Sequence, residues 1–325
     1  MNRAAIAALT LALPGCATQH LAVETGSALA DQAGAAAAAA SAYVDTVAAR
    51  RIAANVVLVA SDPACRWGSA IFVYQPTAAE IASDAKVPFC SAAAAGAMRY
   101  DLRGISQDRL KPTMLLVAAL ADYAATLDAI VAQKAPDIAA RLAGINAYAD
   151  EAADLLKLNG GRDPLTNDAI ADIGPLLNGI AKGLAEAAEA RALFAESAAE
   201  DQHVTDAIAR LKAAIRAWKR SAHSDNQTTV LAMTRVFNRF GADWDFDRRQ
   251  AFALRLAEAD AAIARTDADA DALMAALDRL AVAEADLRHI AEGRLSASQR
   301  AERARIARSQ ALWALGAIAS AVKVL

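Results

Sequence analysis

The chain has 325 residues, 56% of them apolar and more than a quarter alanine, while aromatic residues make up only 5%. Alanine enters helices at the least entropic cost, so this balance predicts an all-α protein. Its 34 Lys and Arg against 37 Asp and Glu leave a net charge of −3, which supplies no basic field for nucleic acid, and no nucleic-acid partner is expected.

The first residues read as a processing segment. Met1, Asn2 and Arg3 make a charged start, residues 4–12 carry no charge, and Leu13, Pro14, Gly15 and Cys16 close the run at a cysteine. The uncharged run is too short to cross a bilayer. This leader resembles that of bacterial lipoprotein precursors, in which the residues before the cysteine admit the lipoprotein signal peptidase. The resemblance implies that 1–15 are a removed signal peptide and that Cys16 takes a diacylglycerol thioether and an N-acyl chain such as palmitate. Residues 16–25 would then be a lipidated tether. Two or three acyl chains hold a protein at a membrane because each buried methylene adds about 0.8 kcal/mol. In that class an Asp after the cysteine favours retention in the inner membrane. Ala17 stands here, so the implied address is the outer membrane of a Gram-negative bacterium, facing the periplasm.

A long helix is predicted over about 21–60, through the six alanines from Ala35 to Ala40, with Val47, Ile52, Val56 and Val59 packing. Residues from about 61 to 105 differ in kind. Pro63, Pro76 and Pro88 interrupt helix there, and the run Ala70, Ile71, Phe72, Val73 and Tyr74 reads as a short strand or an apolar loop. Cys65 and Cys90 fall in this insert. In an oxidising compartment they are expected to pair, closing a loop worth about 3 kcal/mol of chain entropy. Two buried free thiols are the alternative, and zinc would lack ligands without a nearby histidine.

The next helix is predicted from near Ser106, with Pro112 in its first turn and a seam at Leu110, Met114, Val117, Ala121, Ala124 and Val131. Pro136 opens another helix to about 158, ended by Asn159, Gly160 and Gly161. Thr166 and Asp168 restart helical structure, with Pro175 as a restart or kink. Helix is then predicted to about 221, where Val204, Ile208, Leu211, Ile215 and Trp218 alternate in steps of four and three, the spacing of a coiled-coil interface. The polar stretch 223–227 reads as a turn, followed by a shorter helix to about 240 and a break at 241–245. The following helix carries Phe252, Leu256, Ala259 and Ile263 on one face, and the series Leu273, Leu277, Leu280 and Leu287 continues beyond an acidic run. Gly293 marks a corner, and Ser296 caps a last helix.

Breaks of a few residues favour antiparallel neighbours. The expected fold is an elongated up-and-down helical bundle or antiparallel coiled coil over 26–325, with a small disulfide-bridged insert. A solenoid of helical pairs is second choice, and a split near residue 162, at Gly160, Gly161 and Pro164, is a weaker possibility.

Chemistry is sparse in this sequence. Thr266, Asp267, Asp269 and Asp271 resemble the opening of an EF-hand loop, but Ala272 replaces the glycine of the sharp turn and Asp278 the closing glutamate. The simpler reading is a helix start capped by Thr266. Glu200, Asp201, His203 and Asp206 are the densest set of metal-type ligands around a histidine, yet they equally describe the solvated side of a helix. His20, His223 and His289 are scattered. No nucleophile elbow, phosphate-binding loop or zinc-protease motif appears, and no cofactor, metal or catalytic residue is expected. The apolar stretch from Ala311 to Leu325 is shorter than a membrane span and reads as a core helix, with membrane or partner contact as alternatives. Arg300, Arg303, Arg305 and Arg308 before it could meet anionic headgroups or pair with acidic neighbours. The expected function is a non-catalytic scaffold or adaptor for another, unidentified envelope protein, tied to the membrane by its lipid anchor. A carrier or sensor of a small apolar ligand held between helices is the alternative, and a homo-oligomer stays open.

Overall fold

The computed structural model describes residues 13–74, 90, 97–132, 134–159, 173–189, 202–291, 296, 298–299, 301–303 and 305–306, with the side chains of the first helix described from Gly26 onward. The described chain is an all-α bundle with one small two-stranded insert. Its elements are α1 (Leu13–Ala60), β1 (Ala70–Val73), β2 (Met98–Asp101), α2 (Gln107–Val131), α3 (Ala135–Asn159), α4 (Ile173–Glu189), α5 (Gln202–Phe240), a 3₁₀ turn (Gly241–Asp243) and α6 (Phe246–Ala291). Contacts divide the chain into two compact units. The first comprises Met1–Ala42, Asp108–Ile215 and Asp271–Leu325, and the second Tyr43–Gln107 and Arg216–Ala270.

In the first unit, α2 and α3 run antiparallel. Lys111 pairs with Glu151 while Asp122, further along α2, takes Arg141 at 2.8 Å and the Tyr148 hydroxyl at 3.1 Å, earlier on α3. Asp122 comes this close because Gly144 has no Cβ, which would stand 2.9 Å from the carboxylate oxygen. The α5 seam is as its spacing predicts: Val204, Ile208, Leu211 and Ile215 are buried and Trp218 half-buried. On α6, Leu273, Leu277 and Leu280 are buried in the same unit, and Lys212 of α5 pairs with Asp278 of α6. Burying one such leucine stabilises by about 1.5–3 kcal/mol, so these seams hold the unit. Along α2, Leu110, Val117 and Ala124 are buried, but Ala121 is exposed. Pro112 lies beyond the first turn, inside the helix, and is buried there. An apolar window over Gln107–Ile130 has the length and composition of a membrane span, and 67% of it is buried inside the protein as a core helix would be.

In the second unit, α5 and α6 are antiparallel, since Asn226 meets Thr266 while Phe237, further along, stacks on Phe252. α1 and α5 run in the same direction: Arg51 reaches Asp225, and Asp62 reaches Arg239. The packing face of α1 differs from expectation. Val47 is buried, but Ile52 and Val56 are 55% and 49% exposed, while Ala54, Asn55 and Leu58 turn inward. Val59 packs against the core as expected, and polar Asn55 takes a core position that apolar spacing alone passed over.

Three boundaries also move. Helix is already present at Leu13, the first described residue and earlier than predicted. The predicted turn at 223–227 is absent, and α5 is continuous from Gln202 to Phe240. Thr266 caps nothing: α6 runs unbroken from Phe246 to Ala291, and the Thr266 hydroxyl donates to the Ala262 carbonyl one turn back at 2.7 Å. The cap of α6 is Asp245, whose carboxylate accepts the Arg248 amide at 2.8 Å. Ser296 does cap as expected: it accepts the Gln299 amide at 3.3 Å while Gln299 accepts the Ser296 amide at 2.9 Å, a reciprocal box. Gly160, Gly161, Pro164, Thr166, Asp168, Gly293 and the stretch from Ala311 to Leu325 lie outside the described residues.

Candidate functional site

The insert follows α1 directly. Ser61 closes that helix, its hydroxyl donating to the Leu58 carbonyl at 2.7 Å, and the Asp62 carboxylate accepts the Ala64 amide at 2.9 Å ahead of the next turn. β1 and β2 pair antiparallel, with Val73 opposite Met98 and Ala70 opposite Asp101, and Val73 also bridges Cys90. The ambiguous apolar run is therefore a strand. Its alternation sends Ile71 and Val73 inward and leaves Phe72 43% exposed. Cys65 and Cys90 are joined, with their Cα atoms 5.0 Å apart. Cys65 packs with Leu58, Ile71, Val73, Leu102 and Ala232, so the bridge fastens the insert to an apolar floor made by α1 and α5.

Beside that floor lies a polar cluster. Asp225 of α5 is 1% exposed. Its carboxylate accepts Arg51 Nε at 2.7 Å and the Tyr100 hydroxyl at 3.4 Å, and Arg51 also donates to Ser221 at 3.0 Å. Burial pushes the Asp225 carboxyl above the ordinary carboxylate range, against the pull of the Arg51 and Tyr100 donors. Burial and the Asp225 charge together raise the Tyr100 phenol. A second tie joins α1 to the insert, where the Asn55 amide donates to the Leu102 carbonyl at 2.7 Å. Further along α5, buried Asn226 donates to Thr266 at 3.1 Å and His223 meets Asp267 at 2.9 Å. Near these, burial pushes the Asp269 carboxyl up and the Arg50 guanidinium down, each opposed by the charge of the other. With Asp225 so enclosed, the cluster acts as a clasp that ties β2 to α1 and α5.

This cluster explains why α5 does not turn at 223–227. Ser, Thr, Asn and Asp favour turns by bonding nearby backbone in place of the helix ladder. Here Arg51, Tyr100, Thr266 and Asp267 take up Ser221, Asp225, Asn226 and His223, while Thr228 and Thr229 donate to the carbonyls of Ser224 and Asp225 one turn back. Sequence reasoning missed Asp225, Asn226 and Arg51. The available signal was the sheer density of polar residues between two stretches of helical spacing.

The other residues weighed from the sequence are placed as follows. Cys16 lies within α1, after Leu13, Pro14 and Gly15. His203 lies against α4, its ring over Gly179, where a Cβ would overlap it. Asp206 is exposed, and Glu200 and Asp201 lie outside the described residues. Asp267, Asp269 and Asp271 are in mid-helix, so they form no EF-hand loop. Among the described residues no group of three or more His, Cys, Asp or Glu side chains is arranged to hold a metal. Arg303 pairs with Asp286 at 2.6 Å and Arg305 with Glu302 at 2.7 Å. A crevice in the first unit is lined by apolar side chains including Leu116, Leu120, Ile180, Ile208 and Leu211, and it has room for little more than one water-sized sphere.

No protein-family model matches the chain, and comparison with the curated proteins and with the solved structures finds no match.

Proposed function

We propose that the chain is a lipid-anchored, periplasm-facing lipoprotein that binds another envelope protein as a non-catalytic scaffold or adaptor. The observation that carries the binding reading is where apolar side chains stand open. Of the eight large apolar side chains exposed among the described residues, seven belong to the second unit, and four of these, Ile52 at 55%, Val56 at 49%, Trp67 at 62% and Phe72 at 43%, stand on α1 and the insert. Exposed apolar groups collected on one compact unit are the usual mark of an interaction surface. The anchor reading rests on Leu13, Pro14, Gly15 and Cys16 in the sequence. The Cys65–Cys90 bridge is in keeping with an oxidising compartment, to which such an anchor would deliver the chain. A carrier of a small apolar ligand needs a cavity of about 300 Å³ or more, and the crevice lined by Leu116 and Leu211 gives that alternative little support.

Two experiments test the reading. Metabolic labelling with a fatty-acid analogue is expected to mark the full chain and to fail on Cys16→Ser, and label surviving that substitution defeats the anchor. A photo-crosslinking residue placed at Trp67 or Phe72 in intact cells is expected to capture one envelope protein. Adducts to lipid alone, with a small molecule copurifying, would turn the reading to the carrier.

A further inference from the structure

α6 has two apolar sides, and the fold uses one. Phe252, Leu256 and Ile263 are half-buried toward the rest of the second unit, with Phe252 stacked on Phe237 and 5.0 Å from Trp244. On the opposite side, Phe246 and Leu254 are 76% and 60% exposed, and Ala257, Ala261 and Ala264 continue the strip at steps of three and four, all exposed. From Phe246 to Arg265 no residue of α6 is fully buried. At 1.5 Å per residue the strip is about 27 Å long. A solvent-facing side of a helix ordinarily carries charge; here the charges stand along both edges instead.

We propose that this face pairs with the same face of a second copy of the chain, α6 against α6 in antiparallel, two-fold symmetric fashion. The charges along the edges support this occupant. One edge begins with Asp247 and ends with Arg265; the other begins with Arg249 and ends with Asp260, all four exposed. Turning a second copy end for end about a point between Leu254 and Ala257 brings Asp247 opposite Arg265 of its mate. The same register brings Arg249 within one turn of the mate's Asp260, and symmetry repeats both pairs. In that register each Leu254 faces an Ala257 and each Gln250 an Ala261, large against small, which lets the helix axes approach closely. A parallel pairing would instead set Asp247 against its own copy. A membrane surface fits less well, because the edges carry Asp247, Glu258 and Asp260 beside Arg249 and Arg265 and so offer anionic headgroups no net positive charge.

The test uses the full chain carrying Cys16→Ser, so that pairing is read apart from acylation and its failure says nothing about the anchor. Light scattering and sedimentation across a concentration series are expected to show a reversible dimer. Leu254→Asp, at an exposed position, is expected to raise the dissociation constant at least tenfold with unchanged helicity and melting temperature. Asp247→Arg and Arg265→Asp should each weaken the dimer, and their combination should restore it. A single maleimide crosslinker of short reach should join Asp247→Cys chains to Arg265→Cys chains and not Asp247→Cys chains to one another. A chain that stays monomeric at about 100 μM, where a pair of 10 μM affinity would be mostly dimeric, overturns the proposal. So does a dimer insensitive to Leu254→Asp but lost on Ile52→Asp, which would move the contact to the exposed side of α1.

Discussion

The two units both bury polar side chains and differ most in the apolar side chains they leave open, seven of the eight exposed large ones among the described residues lying in the second. In the first, Leu177, Leu211, Leu277 and Leu280 are at most 1% exposed, with Gln32, Thr113, Thr126, Glu284 and Asp286 buried among them, and pairs such as Asp122 with Arg141 and Tyr148 stay at the margin. In the second, Asn55, Asp62, Asp225, Asn226 and Thr266 are all buried, while Ile52, Trp67, Phe72, Phe246 and Leu254 face outward. An apolar interior is stable but tolerant of register shifts, whereas a buried polar group is satisfied in one arrangement only. The second unit fixes its register through the paired Asp225 and Asn226 and keeps apolar side chains for contacts outside itself.

The comparison can be broken at four points, taken from the largest expected effect. Leu211→Ala removes a 1% exposed side chain from the first unit, and calorimetry should show a loss of about 2–5 kcal/mol. Joint replacement of Cys65 and Cys90 by serine should cost the second unit about 3 kcal/mol in denaturant titration, the loop entropy of a 25-residue bridge. An equal loss in the first unit, read by hydrogen exchange, would contradict the division. Within α4, Gly179→Ala forces the His203 ring aside and should destabilise by about 1–3 kcal/mol. Gly183→Ala meets nothing within 4 Å and should stabilise by about 0.5–1 kcal/mol. Adding His203→Ala to Gly179→Ala should recover most of the loss.

The smallest effect concerns pH. The Asp225 carboxyl has its pKa raised by burial in the folded state, so the folded chain holds that proton more tightly than the unfolded chain does. Its contribution to stability is complete below the unfolded carboxylate value near 4 and is lost as pH rises through the higher folded value. The second unit should therefore gain stability as pH falls from neutrality toward that range, read as higher protection factors in α5 once the pH dependence of intrinsic exchange is divided out. Asp225→Asn should flatten that dependence while its single amide oxygen keeps an acceptor for Arg51. A dependence that steepens or survives intact would show that another group carries it.

What the sequence revealed follows the same divide. Where the apolar intervals are regular, spacing located the interior: Val204, Ile208, Leu211 and Ile215 on α5, and Leu273, Leu277 and Leu280 on α6, are core residues as predicted, though Ala121 on α2 is exposed. The two cysteines in the proline-rich insert announced their own bridge. Where the interior is polar the same reasoning failed, because Asp225 and Asn226 look like turn formers until Arg51, Tyr100 and Thr266 are known to meet them. Those partners are 40 to 174 positions away in sequence, and no local pattern encodes them. Thr266 misled in the same way, since a threonine before three aspartates signals a helix start unless its hydroxyl is already committed to Ala262 and Asn226.

The uninterrupted course of α5 through Ser221–Thr229 also bears on the order of events during folding. That stretch is among the poorer helix formers of the chain, and its polar side chains find their partners only when α1, β2 and α6 have arrived. The alanine-containing turns on its N-terminal side have the higher local preference for helix. The middle of α5 therefore becomes helical as a late consequence of assembly, and the longest uninterrupted element after α1 and α6 is made whole only by the neighbours it goes on to support.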